Sequence, residues 1–431
     1  MQSSVSPVSP LNTEELAFPR QSLEHPKAMI ELMKSCGRRK DLIKARKIHT
    51  YIHEKKLHNN DIHVNNALIT MYAKCGAIRE AKKAFDEVSD RNVVSWNALI
   101  SGYAQNGMVE EALNFLKSMQ NENISPNSIT FICILRCCKS LSIGEFIHFE
   151  ARKHGLLDRD VILCTTLVDM YAKFGMMRKA QDVFDGIQVA DVVAWNTLIN
   201  GYAQNGLGHE ALNCLRQMEG KSISPNIVTF ICTLKACSVI GSLDIGEEIR
   251  AKICNLGLLG KDIILDTTLV DMYAKCGELA RAQEVFDELP KRNVVTWNTL
   301  ISGYIHHGLD DKALKCYKLM QDEGCSPNAV TFICILKAIS RMGLLEMGEE
   351  IHAHVSERGL LQKDIVLGTT LVDMYVKCGL LNKAQNVFNE LPKRNIVTWT
   401  ALITGYVQHG LVNDALDCFR KMLLEGIFPD S

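Results

Sequence analysis

Between Val93 and Asn121 the apolar positions follow a helical period and not the alternation of a strand. Trp96, Leu99, Ile100 and Tyr103 fall at i, i+3, i+4 and i+7, which predicts a helix over roughly Ser95–Gln105. Asn106-Gly107 breaks the chain. Ala112, Leu113, Leu116 and Met119 then predict a second helix over roughly Val109–Asn121, ended by Ser125-Pro126-Asn127. The pattern recurs: the tetrad Val93–Trp96 returns at Val192–Trp195, Val294–Trp297 and Ile396–Trp399. Gly206, Gly308 and Gly410 repeat the break, and Pro225, Pro327 and Pro429 repeat the end. Two short helices cannot bury their apolar faces alone. The period therefore predicts an all-α array of stacked helical hairpins, a superhelix with a continuous core and a concave groove.

Aligning the copies divides each period into three repeats. One has 31 residues, at 62–92, 161–191, 263–293 and 365–395. The next has 35, at 93–127, 192–226, 294–328 and 396–430. The long one has 36 at 26–61, 227–262 and 329–364, but 33 at 128–160. These twelve repeats fill 26–430 without a linker and read as one domain. Residues 1–25 are rich in Ser and Pro, with Glu14, Glu15 and Glu24 against Arg20 alone. That composition predicts a disordered leader and gives only weak support for an organelle transit peptide.

Composition narrows the picture. The formal net charge of −1 over 431 residues argues against binding polyanions by charge alone. No apolar run approaches the roughly 18 residues of a membrane span, so no membrane association is expected. The sixteen cysteines sit in repeat register. Cys75, Cys276 and Cys378 share a position with Phe174; Cys214, Cys316 and Cys418 share one with Phe115; Cys133, Cys232 and Cys334 share a third. A site that exchanges Cys with Phe reads as buried and apolar, holding a reduced thiol.

Two positions stay polar in register. Position 5 is Asn66, Thr165, Thr267 and Thr369 in the 31-residue repeats, and Asn97, Asn196, Asn298 and Thr400 in the 35-residue repeats. In the long repeats it is Ile30, Ile132, Ile231 and Ile333. The last position is always Asp or Asn: Asn92, Asn127, Asp191, Asn226, Asn293, Asn328, Asn395 and Asp430, with Asp61, Asp160, Asp262 and Asp364 closing the long repeats. Asp or Asn just before a helix is a natural N-cap. Restriction to Asn/Thr at one site and Asn/Asp at the other also suits a readout code, and the two roles are compatible.

The strings Asn-Ala-Leu-Ile-x-Met-Tyr-Ala-Lys-Cys-Gly (66–76), Val-Val-x-Trp-Asn-x-Leu-Ile-x-Gly-Tyr and Pro-Lys-Arg-Asn (290–293, 392–395) resemble the plant pentatricopeptide repeat family. The long, short and 35-residue order resembles its PLS subclass, here without the C-terminal extension and deaminase domains. The resemblance implies a right-handed α-solenoid with no catalysis of its own. It also implies binding of single-stranded RNA, one base per repeat, in a mitochondrion or chloroplast. Catalysis of C-to-U editing or other RNA processing would come from a separate cytidine deaminase or editing cofactor protein. The base is read by position 5 with the last position. Thr favours purines and Asn pyrimidines; Asp accepts the ring N–H of G or U, and Asn donates to the bare ring nitrogen of A or C. Thr165 with Asp191 then reads G. Thr267 with Asn293 and Thr369 with Asn395 read A, and Thr400 with Asp430 reads G. The pairs Asn66/Asn92, Asn97/Asn127, Asn196/Asn226 and Asn298/Asn328 read C or U. The implied target is 5′-NYYNGYNAYNAG-3′, with Y for C or U. At position 2 the resemblance implies a wedge beside the base from Val94, Ile162, Val193, Ile264, Val295, Val366 and Val397. Packing between repeats explains β-branched residues there equally well, and His63 departs from the pattern.

Other chemistry is thin. His148-Phe-Glu150 matches half of a zinc deaminase motif, but its Pro-Cys-x-x-Cys partner is missing. His49 and His53, at i and i+4, read as two surface histidines. The basic run Gly37–His49 fits either a solvated face or a phosphate contact. Trp96, Gly102-Tyr103, Ala112 and Pro126 also echo tetratricopeptide repeats, which leaves a protein-binding scaffold as the alternative.

Overall fold

The computed structural model describes residues 26–55 and 61–429. Among them all regular structure is α-helical, in 24 helices, and no helix is long and apolar enough to cross a membrane. The leader assigned to 1–25 lies outside the described residues. The chain divides into two compact units, Met1–Asn205 and Gly206–Ser431, and the division falls between the two helices of repeat 192–226.

The first unit runs from helix Pro26–Arg39 to helix Val192–Gln204. Helix Val93–Gln105 starts ahead of the expected Ser95 because Asn92 caps it, its Oδ1 accepting from Val94 N at 2.9 Å and Ser95 N at 3.1 Å. The second helix, Val109–Asn121, matches the expected span. Trp96, Leu99 and Ile100 are buried, with the edge of Trp96 against Phe85 at 4.8 Å between centroids. Tyr103 and Leu113 are only half-buried. Tyr103 sits at the rim, its ring 4.8 Å from Phe115. Gly107 closes the first helix at φ +81, a backbone state that Gly adopts without strain. First helices pack closely on first helices: a Cβ on Gly102 would lie 2.7 Å from that of Ala73. Asn106 Nδ2 donates across the same seam to Ala73 O at 3.0 Å.

The second unit runs from helix Gly208–Gly220 to helix Val412–Leu424 and repeats these devices. Phe286 meets Trp297 at 4.6 Å and Phe388 meets Trp399 at 4.5 Å. The Pro-Lys-Arg-Asn string gains a mechanical meaning. The Arg292 guanidinium lies over Phe286 at 4.9 Å and donates to Phe286 O at 3.1 Å and Asp287 O at 3.0 Å. It also pairs with Glu323 at 2.7 Å. Arg394 does the same with Phe388, Asn389 and Glu425. Each arginine thereby satisfies the last carbonyls of one helix and anchors the Asn that starts the next.

The cysteines divide into two groups. Cys214, Cys232, Cys316 and Cys418 are buried as expected, and burial pushes the Cys232 and Cys316 thiols up to about 11. Cys75, Cys276 and Cys378 are only half-buried, because each is the C-cap of its helix and faces partly outward; Phe174 caps the fourth copy. Cys133 and Cys334 are half-buried too. All sixteen are free thiols.

Candidate nucleic-acid interface

One edge of each first helix carries the residues singled out from the sequence. At position 2, Val94, Ile162, Val193, Ile264, Val295, Val366 and Val397 are between 53% and 64% exposed. Ile129, Val228 and Val330 of the long repeats continue the stripe at 51–58% exposure. Sequence reasoning passed over these three, although their register was the available signal. His63 is exposed at the same position.

Position 5 is recessed behind this stripe. Asn66, Asn97, Asn196 and Asn298 are buried, Thr165, Thr267 and Thr369 are half-buried, and Thr400 is exposed. The last-position residues sit nearer the surface and cap the next helix. The structure joins the two positions in some repeats. Asn97 Nδ2 donates to Asn127 Oδ1 at 3.0 Å, and Asn298 Nδ2 to Asn328 Oδ1 at 3.1 Å. Thr267 reaches Asn293 through Thr296 (3.0 and 3.1 Å), and Thr369 reaches Asn395 through Thr398 (2.9 and 2.8 Å). Two pairs, Thr165 with Asp191 and Asn66 with Asn92, are not joined. Thr165 gives its hydroxyl to Val161 O at 2.7 Å, while Asp191 accepts from Ala194 N at 2.8 Å. Asn66 Oδ1 is buried without a hydrogen-bond partner, and Asn92 is occupied with capping. Asn196 belongs to the first unit and Asn226 to the second, where Asn226 Oδ1 accepts from Thr229 N at 3.0 Å. Asp430 lies outside the described residues.

These edges enclose hollows. A cavity of about 490 Å³ opens between Val295 and Val330, with Asn298 and Asn328 in its lining and Lys275 at its side. Another, of about 240 Å³, lies between Val94 and Ile129 with Asn97 and Lys74. Each offers two apolar walls, amide N–H donors and one ammonium group. Asp271 partly neutralises Lys275 at 2.8 Å, but Thr70 stands where that acid would be beside Lys74.

The remaining candidates resolve differently. A cavity of about 710 Å³ is lined by Glu145, His148, Tyr171 and Lys179. There His148 Nδ1 meets Tyr171 OH at 2.8 Å and Lys179 pairs with Glu145. Glu150 is buried and accepts from Gln120 at 3.0 Å, so the His-x-Glu pair has no common focus. His49 is half-buried against Tyr72 OH at 2.9 Å, which corrects its reading as a surface residue; His53 is exposed. Among the described residues no group of three or more His, Cys, Asp or Glu could hold a metal. Arg38, Arg39 and Lys40 are exposed, and Arg46 pairs with Glu80 at 2.9 Å.

Repeated helical hairpins, with polar position-5 residues confined to the 31- and 35-residue repeats, define an all-α repeat solenoid. A model of the PPR repeat family matches residues 91–140, 190–238, 292–341 and 394–431, and a PPR repeat model matches 66–93, 162–192, 267–294 and 369–396. Together they span more than half of the chain, which belongs to the pentatricopeptide repeat family. It is 35% identical over 366 residues to a chloroplastic pentatricopeptide repeat-containing protein of Arabidopsis thaliana, covering 84% of this chain and 45% of that protein. A mitochondrial one from the same plant is 34% identical over 366 residues, with coverages of 84% and 52%. The chain thus spans about half the length of these curated relatives. Its fold is similar to that of the pentatricopeptide repeat protein PPR10 crystallised with an 18-nt psaJ RNA element. The TM-score is 0.69 at 19% identity, covering 88% of this chain and 57% of that one.

Proposed function

We propose that this chain is a sequence-specific single-stranded RNA-binding module of the PLS type. It reads one base per repeat in a chloroplast or mitochondrion. It marks sites for RNA processing or C-to-U editing, with a separate cytidine deaminase or editing cofactor supplying catalysis. The observation that carries this reading is the hollow between Val295 and Val330. Two exposed aliphatic walls stand on either side of recessed amides, as stacking and Watson–Crick-edge contacts with an unpaired base require. A protein-binding scaffold has no need of a walled amide pair in register. The twelve repeats of 26–430 then read 5′-NYYNGYNAYNAG-3′.

Gel shifts with this 12-mer and its single-base variants test the reading. A well-read base should be worth roughly 1–3 kcal/mol, by analogy with bidentate contacts in duplexes. Thr165→Asn should turn the fifth-base preference from G to U, because Asp191 keeps its acceptor while position 5 changes from Thr to Asn. A variant that still prefers G, or that binds all 12-mers alike, sinks the proposal.

A further inference from the structure

Every Asn cap at a repeat end has a hydroxyl three residues on: Asn92–Ser95, Asn127–Thr130, Asn226–Thr229, Asn293–Thr296, Asn328–Thr331 and Asn395–Thr398. The described Asp caps have an aliphatic residue there instead: Asp61–Val64, Asp160–Leu163, Asp191–Ala194, Asp262–Leu265 and Asp364–Leu367. The contrast holds among the caps that open the 35-residue repeats, where Asp191 with Ala194 stands against three Asn with Ser or Thr.

The geometry explains the partnership. Asn328 Oδ1 accepts from Thr331 N at 3.1 Å and from Asn298 Nδ2 at 3.1 Å. Thr331 Oγ1 accepts from Asn328 N at 3.1 Å and reaches Asn298 Oδ1 at 2.7 Å. Asn127, Asn97 and Thr130 repeat the arrangement, with Thr130 Oγ1 at 2.6 Å from Asn97 Oδ1. Both carboxamide oxygens of each pair are therefore hydrogen-bonded inside the protein, and burial of Asn97 and Asn298 closes theirs off further. Turning Asn97 or Asn298 over would set oxygen against oxygen across the pair. What remains for a base is N–H, a donor and no acceptor. Cytosine presents a bare N3 to such a donor, whereas uracil presents N3–H, donor against donor.

We propose that Thr130 and Thr331 are positioning residues that determine specificity: their hydroxyls lock the Asn97/Asn127 and Asn298/Asn328 amides as donors, so the third and ninth bases are read as C and not U. The inference rests on the base-reading function above and narrows it. Repeat 62–92 is the internal contrast. Ser95 there bonds Asn92, while no hydrogen bond holds the buried Asn66 Oδ1, so that amide is free to turn its oxygen toward the second base and admit U as well as C.

The test compares 12-mers carrying C or U at the second, third or ninth base, bound to the full chain and to Thr130→Val, Thr331→Val and Thr331→Ser. The unaltered chain should favour C by about tenfold at the third and ninth bases, the scale of one mismatched hydrogen bond, and by less than about twofold at the second. Thr331→Val should bring the ninth-base ratio to within about twofold of unity, with the third-base ratio intact as evidence of folding, and Thr331→Ser should restore it. Equal binding of C and U at the third and ninth bases of the unaltered chain overturns the inference, as does a ninth-base ratio that survives Thr331→Val. If purines bind as well as pyrimidines there, the base-reading function itself has failed, which is a separate result.

Discussion

His148 and His352 each meet a tyrosine hydroxyl through Nδ1, Tyr171 at 2.8 Å and Tyr375 at 2.9 Å, in half-buried seats between neighbouring repeats. Burial holds both imidazoles below their ordinary 6.5. Arg152 and Lys179 lower His148 further against Glu145, while Glu390 and Glu349 oppose the shift at His352 against Lys383. The unfolded chain therefore takes up these protons at higher pH than the folded chain. Their contribution to stability is complete above about pH 6.5 and is lost as the pH falls through the lowered folded values. The melting temperature should drop between about pH 7.5 and about pH 5.5, and the double variant His148→Gln, His352→Gln should drop less steeply. Parallel pH profiles for the two proteins would show that these histidines play no such part. At this scale the sequence told which positions vary, because the repeats supply independent copies of each site. It could not tell that Asn66 Oδ1 lacks a partner or that Thr130 touches Asn97. Those facts depend on distances between side chains about thirty residues apart, and composition carries no trace of them.

Each first helix is held between a capped start and a close lateral contact. A Cβ on Gly303 would lie 2.8 Å from the Cβ of Ala274, and neither atom belongs to a flexible side chain that could yield. Gly303→Ala should therefore cost about 1–3 kcal/mol by overpacking, although Ala is the better helix former by about 1 kcal/mol. Chemical denaturation decides between the two effects: a variant as stable as the parent would mean that the seam relaxes freely. Helix spans were legible from periodicity to within two residues, and Val93 was missed because a cap advances the helix past its apolar stripe. The misjudged burial of Cys75, Cys276 and Cys378 has a related cause. A Cys/Phe exchange signals an apolar site, but it does not say that the site is a helix end open on one side. The arginine of Pro-Lys-Arg-Asn was legible only as a family mark. Its seat on Phe286 and two carbonyl groups is a tertiary fact.

Across the whole molecule, 48 basic side chains are balanced by 49 acidic ones. Even the lysines beside the candidate groove are partly neutralised: Lys173 by Asp169, Lys275 by Asp271 and Lys377 by Asp373, at 2.6–2.8 Å. Lys74, with Thr70 before it, escapes this. If the chain binds RNA as proposed, base contacts must outweigh phosphate contacts. The slope of log affinity against log salt should then be no steeper than about −3, equivalent to roughly four phosphates on a single strand. A slope of about −7 or steeper would mean that charge does most of the binding. The tetrads mark four periods and alignment of the copies divides each into three, whereas the division into compact units at Asn205/Gly206 left no mark in that periodicity. The capping role of the last position has a further consequence. Asn and Asp are nearly equal as the best starts for a helix. Exchanging one for the other changes what is offered to a ligand while the helix keeps its start. If the last position reads a base as proposed, mutational drift there would alter recognition at little thermodynamic cost, and new targets would lie a single tolerated step away.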